Sequence, residues 1–391
     1  MTLAAIRNRL FRSRFWLFLS VLMAGWATLA CQSELPAPGR LDDAAFERVS
    51  SRLSEAPGYF DTDNLISNET SYQHALSGIE KGSAEGRIYL GVGPGQNFTY
   101  IAHLRPKAAF ILDLRRDNLL FHLYWKELFE RSSDRVDFLT RALARPLPED
   151  VERPGEEADA ADLVKLFVGL PADQKLYDEQ FRSIFESLRS RFPALVRAVD
   201  ENSLRRLSRP FMTHGLNLRF TSHGRRPRPF YPNYAQLVLA TDLQQRRGHF
   251  LERREDFLFL KKMQEENRVI PLIGDFAGPN ALKALGNYLD DRDLVVSAFY
   301  LSNVEFYLFI NGVFEQYAEN LSALPVDEKS VLIRTHFGNA GVHPEARPGH
   351  FVTCLLQSAA SFVRQQRREP YSSYWDLVNR DYIPLSAQSR E

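Results

Sequence analysis

Three glycines at alternate positions, Gly91, Gly93 and Gly95, follow the apolar run Ile88-Tyr-Leu, a spacing suited to holding a ligand. Glycine lets the backbone turn sharply and approach a bound group with no Cβ in the way. A helix entered directly afterwards turns its first amides toward a polar or anionic ligand group. Asp113 ends the next apolar run, Ala108-Ala-Phe-Ile-Leu-Asp. It follows the glycines by about 20 residues, the interval at which a carboxylate accepts hydrogen bonds from a ribose diol. Asp275 ends a third run in Ile-Gly-Asp and can accept from an adenine amino group at the same crevice. The dinucleotide fingerprint has a glycine where this chain has Gln96. That departure turns the reading from NAD or FAD to a nucleoside held without a pyrophosphate. The alternative is a tight turn accompanied by two helix-capping aspartates.

These residues need strands that end together. The near-continuous apolar runs at Ile88, Ala108, Arg268–Asp275 and Leu294–Leu301 alternate with helical patterns, which predicts a mostly parallel sheet covered on both faces. Val331–Thr335 and Phe351–Leu356 read as two further short strands, and Val304–Tyr317 as an aromatic-rich helix. Helical spacing also runs over Leu41–Ser54, Asn118–Leu139, Ala281–Leu289 and Tyr234–Asn267. The polar stretch Asp61–Tyr72 offers several helix caps. A Pro- and acid-rich break at Pro146–Asp159 opens a segment with two or three amphipathic helices up to Leu207. Arg219–Pro232 follows as a loop carrying Arg225, Arg226 and Arg228. This block interrupts the strand–helix alternation and reads as a helical insertion over about residues 140–233.

The N-terminus points to a different compartment. Arg7, Arg9, Arg12 and Arg14 precede an uncharged stretch, Phe15–Ala30, that stops at Cys31, the three-part pattern of a secretory leader. Thr28-Leu-Ala-Cys approximates a lipoprotein cleavage box, with Cys31 as the residue lipidated. An uncleaved anchor, with the arginines held in the cytoplasm, is the alternative. Both export the rest of the chain, whereas a misassigned start leaves it cytoplasmic. Residues 1–31 are therefore expected to be leader or anchor, 32–57 a tether and N-terminal helix, and 58–391 the folded domain. Cys31 and Cys354 are the only cysteines, so no disulfide framework is expected. Forty-nine basic residues balance 49 acidic ones, which gives no field favouring nucleic acid. Membrane contact through the N-terminus and an unidentified small molecule are the expected partners. His-Glu-x-x-His, paired Cys-x-x-Cys and Gly-x-Ser-x-Gly patterns are absent, and no metal is expected.

Tyr89-Leu-Gly-Val-Gly-Pro-Gly, then Ile-Leu-Asp, Ile-Gly-Asp and Val-Val-Ser-Ala-Phe-Tyr, resemble in order the strands of class I S-adenosylmethionine-dependent methyltransferases. Asp63-Asn-Leu-Ile-Ser-Asn-Glu-Thr-Ser-Tyr and Gly-Pro-Gly-Gln-Asn-Phe-Thr-Tyr-Ile resemble more closely an uncharacterised bacterial family with that fold, over about residues 58–360. The resemblance implies a three-layer, Rossmann-like α/β domain of methyltransferase type. It implies a cofactor site for S-adenosylmethionine at Gly91, Gly93, Gly95, Gln96, Asp113 and Asp275. It also implies that residues after the fourth and fifth strands face the substrate: Tyr300, Asn303, Glu305 and then His336, a candidate general base. The chain departs from the wider pattern in two places. Arg87-Ile-Tyr-Leu carries no acidic residue before the glycines, and Ser297-Ala-Phe-Tyr-Leu-Ser-Asn stands where amino-group methylases have Asn/Asp-Pro-Pro-Tyr. Two functions are thus expected: methyl transfer to a small substrate, or a membrane-tethered, non-catalytic binding protein on a degenerate methyltransferase fold.

Overall fold

Strands buried on both faces organise the molecule. In the computed structural model, which describes residues 35–226, 228–337 and 342–385, every residue of β1 (Ile88–Gly91) and β2 (Ala108–Asp113) is buried. The same holds for β3 (Val269–Ile273), and only the last residue of β4 (Val296–Ser302) is partly open. Side chains this apolar leave water only between two covering layers, which is why the runs contain no polar alternation. β5 (Val331–Phe337), β6 (Val352–Ser358) and β7 (Tyr382–Ile383) complete a seven-stranded sheet of order β3-β2-β1-β4-β5-β6-β7. The pairs from β3 to β5 are parallel, whereas β6 runs antiparallel to β5 and β7 antiparallel to β6. The protein is therefore an α/β fold on a mixed sheet. Contacts divide the chain into Met1–Ala37 and Pro38–Glu391, and this fold lies in the second unit. The leader and Cys31 lie outside the described residues. Among those residues no helix is long and apolar enough to cross a membrane.

The outer edge of β3 is met by α1 (Asp43–Leu53) and the residues after it. Ser50 Oγ donates to Pro271 O at 2.6 Å, Ile273 N donates to Ser54 Oγ at 2.9 Å, and Glu55 N donates to Ile273 O at 2.9 Å. α2 (Gln96–Leu104) links β1 to β2. The α-helices between β2 and β3 are α3 (Arg116–Arg131), α4 (Arg135–Leu143), α5 (Ala160–Phe167), α6 (Gln174–Arg191), α7 (Glu201–His214), α8 (Tyr234–Val238) and α9 (Arg254–Glu265). α5 to α7 fill the predicted insertion, while α3 packs against β3 and α9. Phe98 of α2 meets Trp125 and Phe129 of α3 at ring-centroid distances of 6.4 and 5.1 Å, which joins this block to the helix after the glycines.

Three helical runs are shorter than their apolar spacing suggests. Asn118–Leu139 divides into α3 and α4 where Asp134 Oδ1 accepts from the amides of Val136 and Asp137, each at 2.9 Å. Tyr234–Asn267 is broken because Asp242 Oδ1 accepts from the amides of Gln244 (2.8 Å) and Arg246 (2.9 Å), with Gln245 at φ +61°. A short carboxylate that bonds its own backbone competes with the helix ladder. Val304–Tyr317 divides into α11 (Val304–Ile310) and α12 (Phe314–Ser322) at Gly312, φ +69°. α10 (Ala281–Asp290) joins β3 to β4, and α13 (Ala359–Arg368) with α14 (Tyr374–Asn379) join β6 to β7. Cys354 is a buried free thiol on β6.

Candidate functional site

The strand order reverses direction between β1 and β4, and in open α/β sheets such a point leaves a crevice beyond the strands' carboxyl ends. A cavity of about 650 Å³ lies there, lined by Val92 and Gly93 after β1, Asp113 and Leu114 at β2, and Gly274 and Asp275 after β3. Ser302 and Asn303 at β4 and Phe337 at β5 line it as well. This volume is that of a small-molecule site.

The glycine loop is held from within. Asn97, fully buried on α2, donates through Nδ2 to Val92 O (2.9 Å) and Pro94 O (2.7 Å) and accepts from Tyr89 Oη (2.8 Å). A Cβ on Gly91 would stand 2.0 Å from Asn97 Oδ1, so this glycine makes room for the asparagine rather than for a ligand. Gly93 has φ +78°, a conformation glycine adopts without strain, and its carbonyl lies 2.9 Å from His122 Nε2. The loop carbonyls are thus turned inward. No side chain caps the first turn of α2.

Asp113 is not a free carboxylate. Arg115, two residues on, donates Nε to Oδ1 (3.0 Å) and Nη2 to Oδ2 (2.7 Å), and its amide also reaches Oδ1 (2.9 Å). Both side chains are buried, so the pair is a neutral, bidentate unit in the cavity wall. Asp275 is exposed and lines the cavity, and its Oδ1 accepts from Ala277 N at 2.9 Å within a turn. α10 starts only at Ala281, so Asp275 does not cap it as the alternative reading expected.

Glu69 was not singled out by the sequence. It is 1 % exposed and lines the cavity. Tyr300 Oη (2.8 Å) and Thr335 Oγ1 (2.7 Å) donate to its Oε2, and Ser302 Oγ donates to its Oε1. No basic side chain pairs with it among the described residues, and burial raises its pKa. Ser302 reaches it from a non-glycine φ of +52° at an irregularity in the β4–β5 register. Such bulges re-aim side chains beside functional sites. Its sequence signal was slight: one glutamate among Asn68, Thr70 and Ser71, in a stretch read as helix caps.

Among the other predicted residues, Gln96 and Tyr300 are brought together, with Gln96 Nε2 donating to Tyr300 Oη at 3.1 Å. Asn303 lines the cavity. Glu305 and His336 do not line it. Glu305 is buried in an ion pair with Arg334 (2.7 Å) and accepts from Tyr317 Oη (2.8 Å). His336 lies on the opposite strand face to Thr335, between the rings of Tyr374 (5.9 Å) and Trp375 (5.4 Å). Strand alternation carries it away from the crevice that Thr335 faces. The arginine-bearing loop keeps Arg225, Arg226 and Arg228 exposed, while Arg225, Arg228, Phe230 and Tyr231 border the cavity. Phe230 stacks on Phe351 at 4.0 Å, Phe220 packs on Tyr231 at 5.0 Å, and Arg225 pairs with Asp61. Among the described residues no group of three or more His, Cys, Asp or Glu side chains could hold a metal ion.

No curated protein matches the chain. Residues 65–146 and 220–383 match a family described as "Domain of unknown function (DUF7790)". The matched segments contain Glu69, the glycine loop, Asp113, Asp275, Ser302 and Thr335, and pass over the span that holds α5, α6 and α7. Because the match covers more than half of the chain, the protein belongs to this family of domains of unknown function, DUF7790.

Proposed function

We propose that the cavity is a nucleoside site, that S-adenosylmethionine is its ligand, and that the domain is a methyltransferase-like protein acting on a small molecule. One observation carries the reading. An uncapped helix start, a glycine-93 turn and two strand-end carboxylates converge on a single cavity of about 650 Å³ at the point where the strand order reverses. When bound, S-adenosylmethionine supplies a methyl group on an electrophilic sulfonium. The chain's own part is positional. Gly93 and Gln96 offer backbone to the ligand, whereas Gly95 does not line the cavity; Asp275 offers an exposed acceptor, and the cavity walls align donor and acceptor. Asp113 fits less well, because Arg115 already engages both of its oxygens. That pair is what favours the second reading, a non-catalytic binding protein on the same frame.

Titration calorimetry with S-adenosylmethionine tests the choice. Binding that Gly93→Val abolishes is the expected result, since valine cannot adopt φ +78° without strain. A folded wild-type protein that releases or absorbs no heat refutes the donor, and binding unchanged in Gly93→Val moves the site elsewhere.

A further inference from the structure

The corner of the cavity at Glu69 is short of hydrogen-bond donors. A carboxylate accepts about four hydrogen bonds, two on each oxygen. Tyr300 and Thr335 fill Oε2, and Ser302 supplies one donor to Oε1, which leaves one acceptor position there. The direction of the Tyr300 bond then fixes its neighbour. A tyrosine that gives its proton to a carboxylate must accept from Gln96, so the Gln96 amide presents Nε2 to Tyr300 and keeps Oε1 for something else. Gln96 Oε1 is buried and has no donor. The same corner therefore holds a buried carboxylate with no cation and an amide oxygen with no donor, and both residues line the cavity.

The surroundings of that corner are apolar on one side. Phe337 stands two residues beyond Thr335, on the same strand face and about 7 Å further along. Its ring lies 5.9 Å from Phe351, which stacks at 4.0 Å on Phe230 of the loop above, and all three line the cavity. An ammonium group has three donors and no acceptor, and it carries the charge that Glu69 lacks in a partner. Aromatic faces near it add cation–π attraction.

We propose that Glu69 and Gln96 receive the ammonium group of an organic amine, whose apolar body lies against Phe337, Phe351 and Phe230. This names the small molecule that the methyl-transfer reading leaves open, while the binding rests on the corner's own chemistry and needs no donor. Burial of a carboxylate among neutral hydroxyls is costly unless a cation arrives, and the three clamping hydroxyls hold it in one orientation until then.

Saturation-transfer NMR on the full chain, with 2-phenylethylamine and the matched neutral 2-phenylethanol and no S-adenosylmethionine, tests this. The amine should bind at least about tenfold tighter than the alcohol, a ratio worth about 1.4 kcal/mol. Glu69→Gln should remove that preference, and Phe351→Ala should weaken the amine several-fold. Equal affinity for amine and alcohol in the wild type overturns the proposal, because a carboxyl held neutral would not discriminate. So does absence of amine binding at about 10 mM, weaker than any specific small-molecule contact of this size. An amine preference that persists in a Glu69→Gln protein with a cooperative melt overturns it too. The wild-type comparison stands even if that variant fails to fold. Titration with S-adenosylmethionine separates the two readings: amine binding without S-adenosylmethionine binding refutes the donor reading alone, and the reverse refutes this proposal alone.

Discussion

Gly91→Ala should damage the protein through Asn97 and not through a ligand. The added Cβ would lie 2.0 Å from Asn97 Oδ1, 3.0 Å from Asn97 Cγ and 2.9 Å from Tyr89 Cε1. Asn97 is fully buried, so its amide can move only by giving up the Tyr89 hydroxyl and the carbonyls of Val92 and Pro94. Each buried group stranded in this way costs about 1–3 kcal/mol, and partial relaxation of the loop brings the expected total to about 4 kcal/mol. Asn97→Ala removes the same bonds and should cost about 3 kcal/mol by itself. In that background the alanine at 91 meets only Tyr89, and its further cost should fall to about 1 kcal/mol. Urea unfolding of the wild type, the two single variants and the double variant measures the coupling, expected near 3 kcal/mol. If Gly91→Ala costs the same with and without Asn97, the packing account of this glycine is wrong and close approach to a ligand becomes the better explanation of its presence.

Two further outcomes follow from buried titratable groups. Burial lowers the pKa of His122, the ring bonded to Gly93 O, to about 4, below its unfolded value near 6.5. Its contribution is complete above about pH 6.5 and is lost as pH falls toward 4, up to about 3 kcal/mol. Urea midpoints across that window should therefore drop less steeply in His122→Asn, and an unchanged slope refutes the assignment. Glu305→Gln leaves the Arg334 guanidinium, 1 % exposed, with its carboxylate partner gone, and should destabilise by about 3–5 kcal/mol in a thermal melt. A near-neutral effect there would mean that the pair contributes little.

β1 to β4 were legible because burial on both faces leaves a local mark, a run of successive apolar residues between turn signals, whereas the two-residue β7 leaves none. The glycine turn and the carboxylates at the strand ends were legible for the same reason, since their positions follow from where each strand stops. Glu69 was not, because what makes it special comes from afar. Tyr300, Ser302 and Thr335 lie more than two hundred residues on, in β4 and β5, and nothing in Asn68-Glu-Thr announces that they will surround it. Asp113 shows the reverse: its position was readable, but its chemistry was changed by Arg115 only two residues away. A strand exit also misleads by one residue, since Thr335 faces the crevice and His336 does not. Composition cannot express that parity. The arginine loop keeps its charges in solvent, and what the sequence did not show is the distant partner of its aromatic, Phe351 under Phe230.

The hydrogen bonds between α1 and β3 have a bearing on association. A strand at the margin of a sheet normally offers a ladder of open N–H and C=O groups that another chain can extend. Here Pro271 has no N–H to offer, its carbonyl is taken by Ser50, and both backbone groups of Ile273 are taken by Ser54 and Glu55. The opposite margin, β7, is two residues long. Ser50 and Ser54 thus close this margin at Pro271 and Ile273 against strand-by-strand extension, while β7 offers a neighbour only two residues.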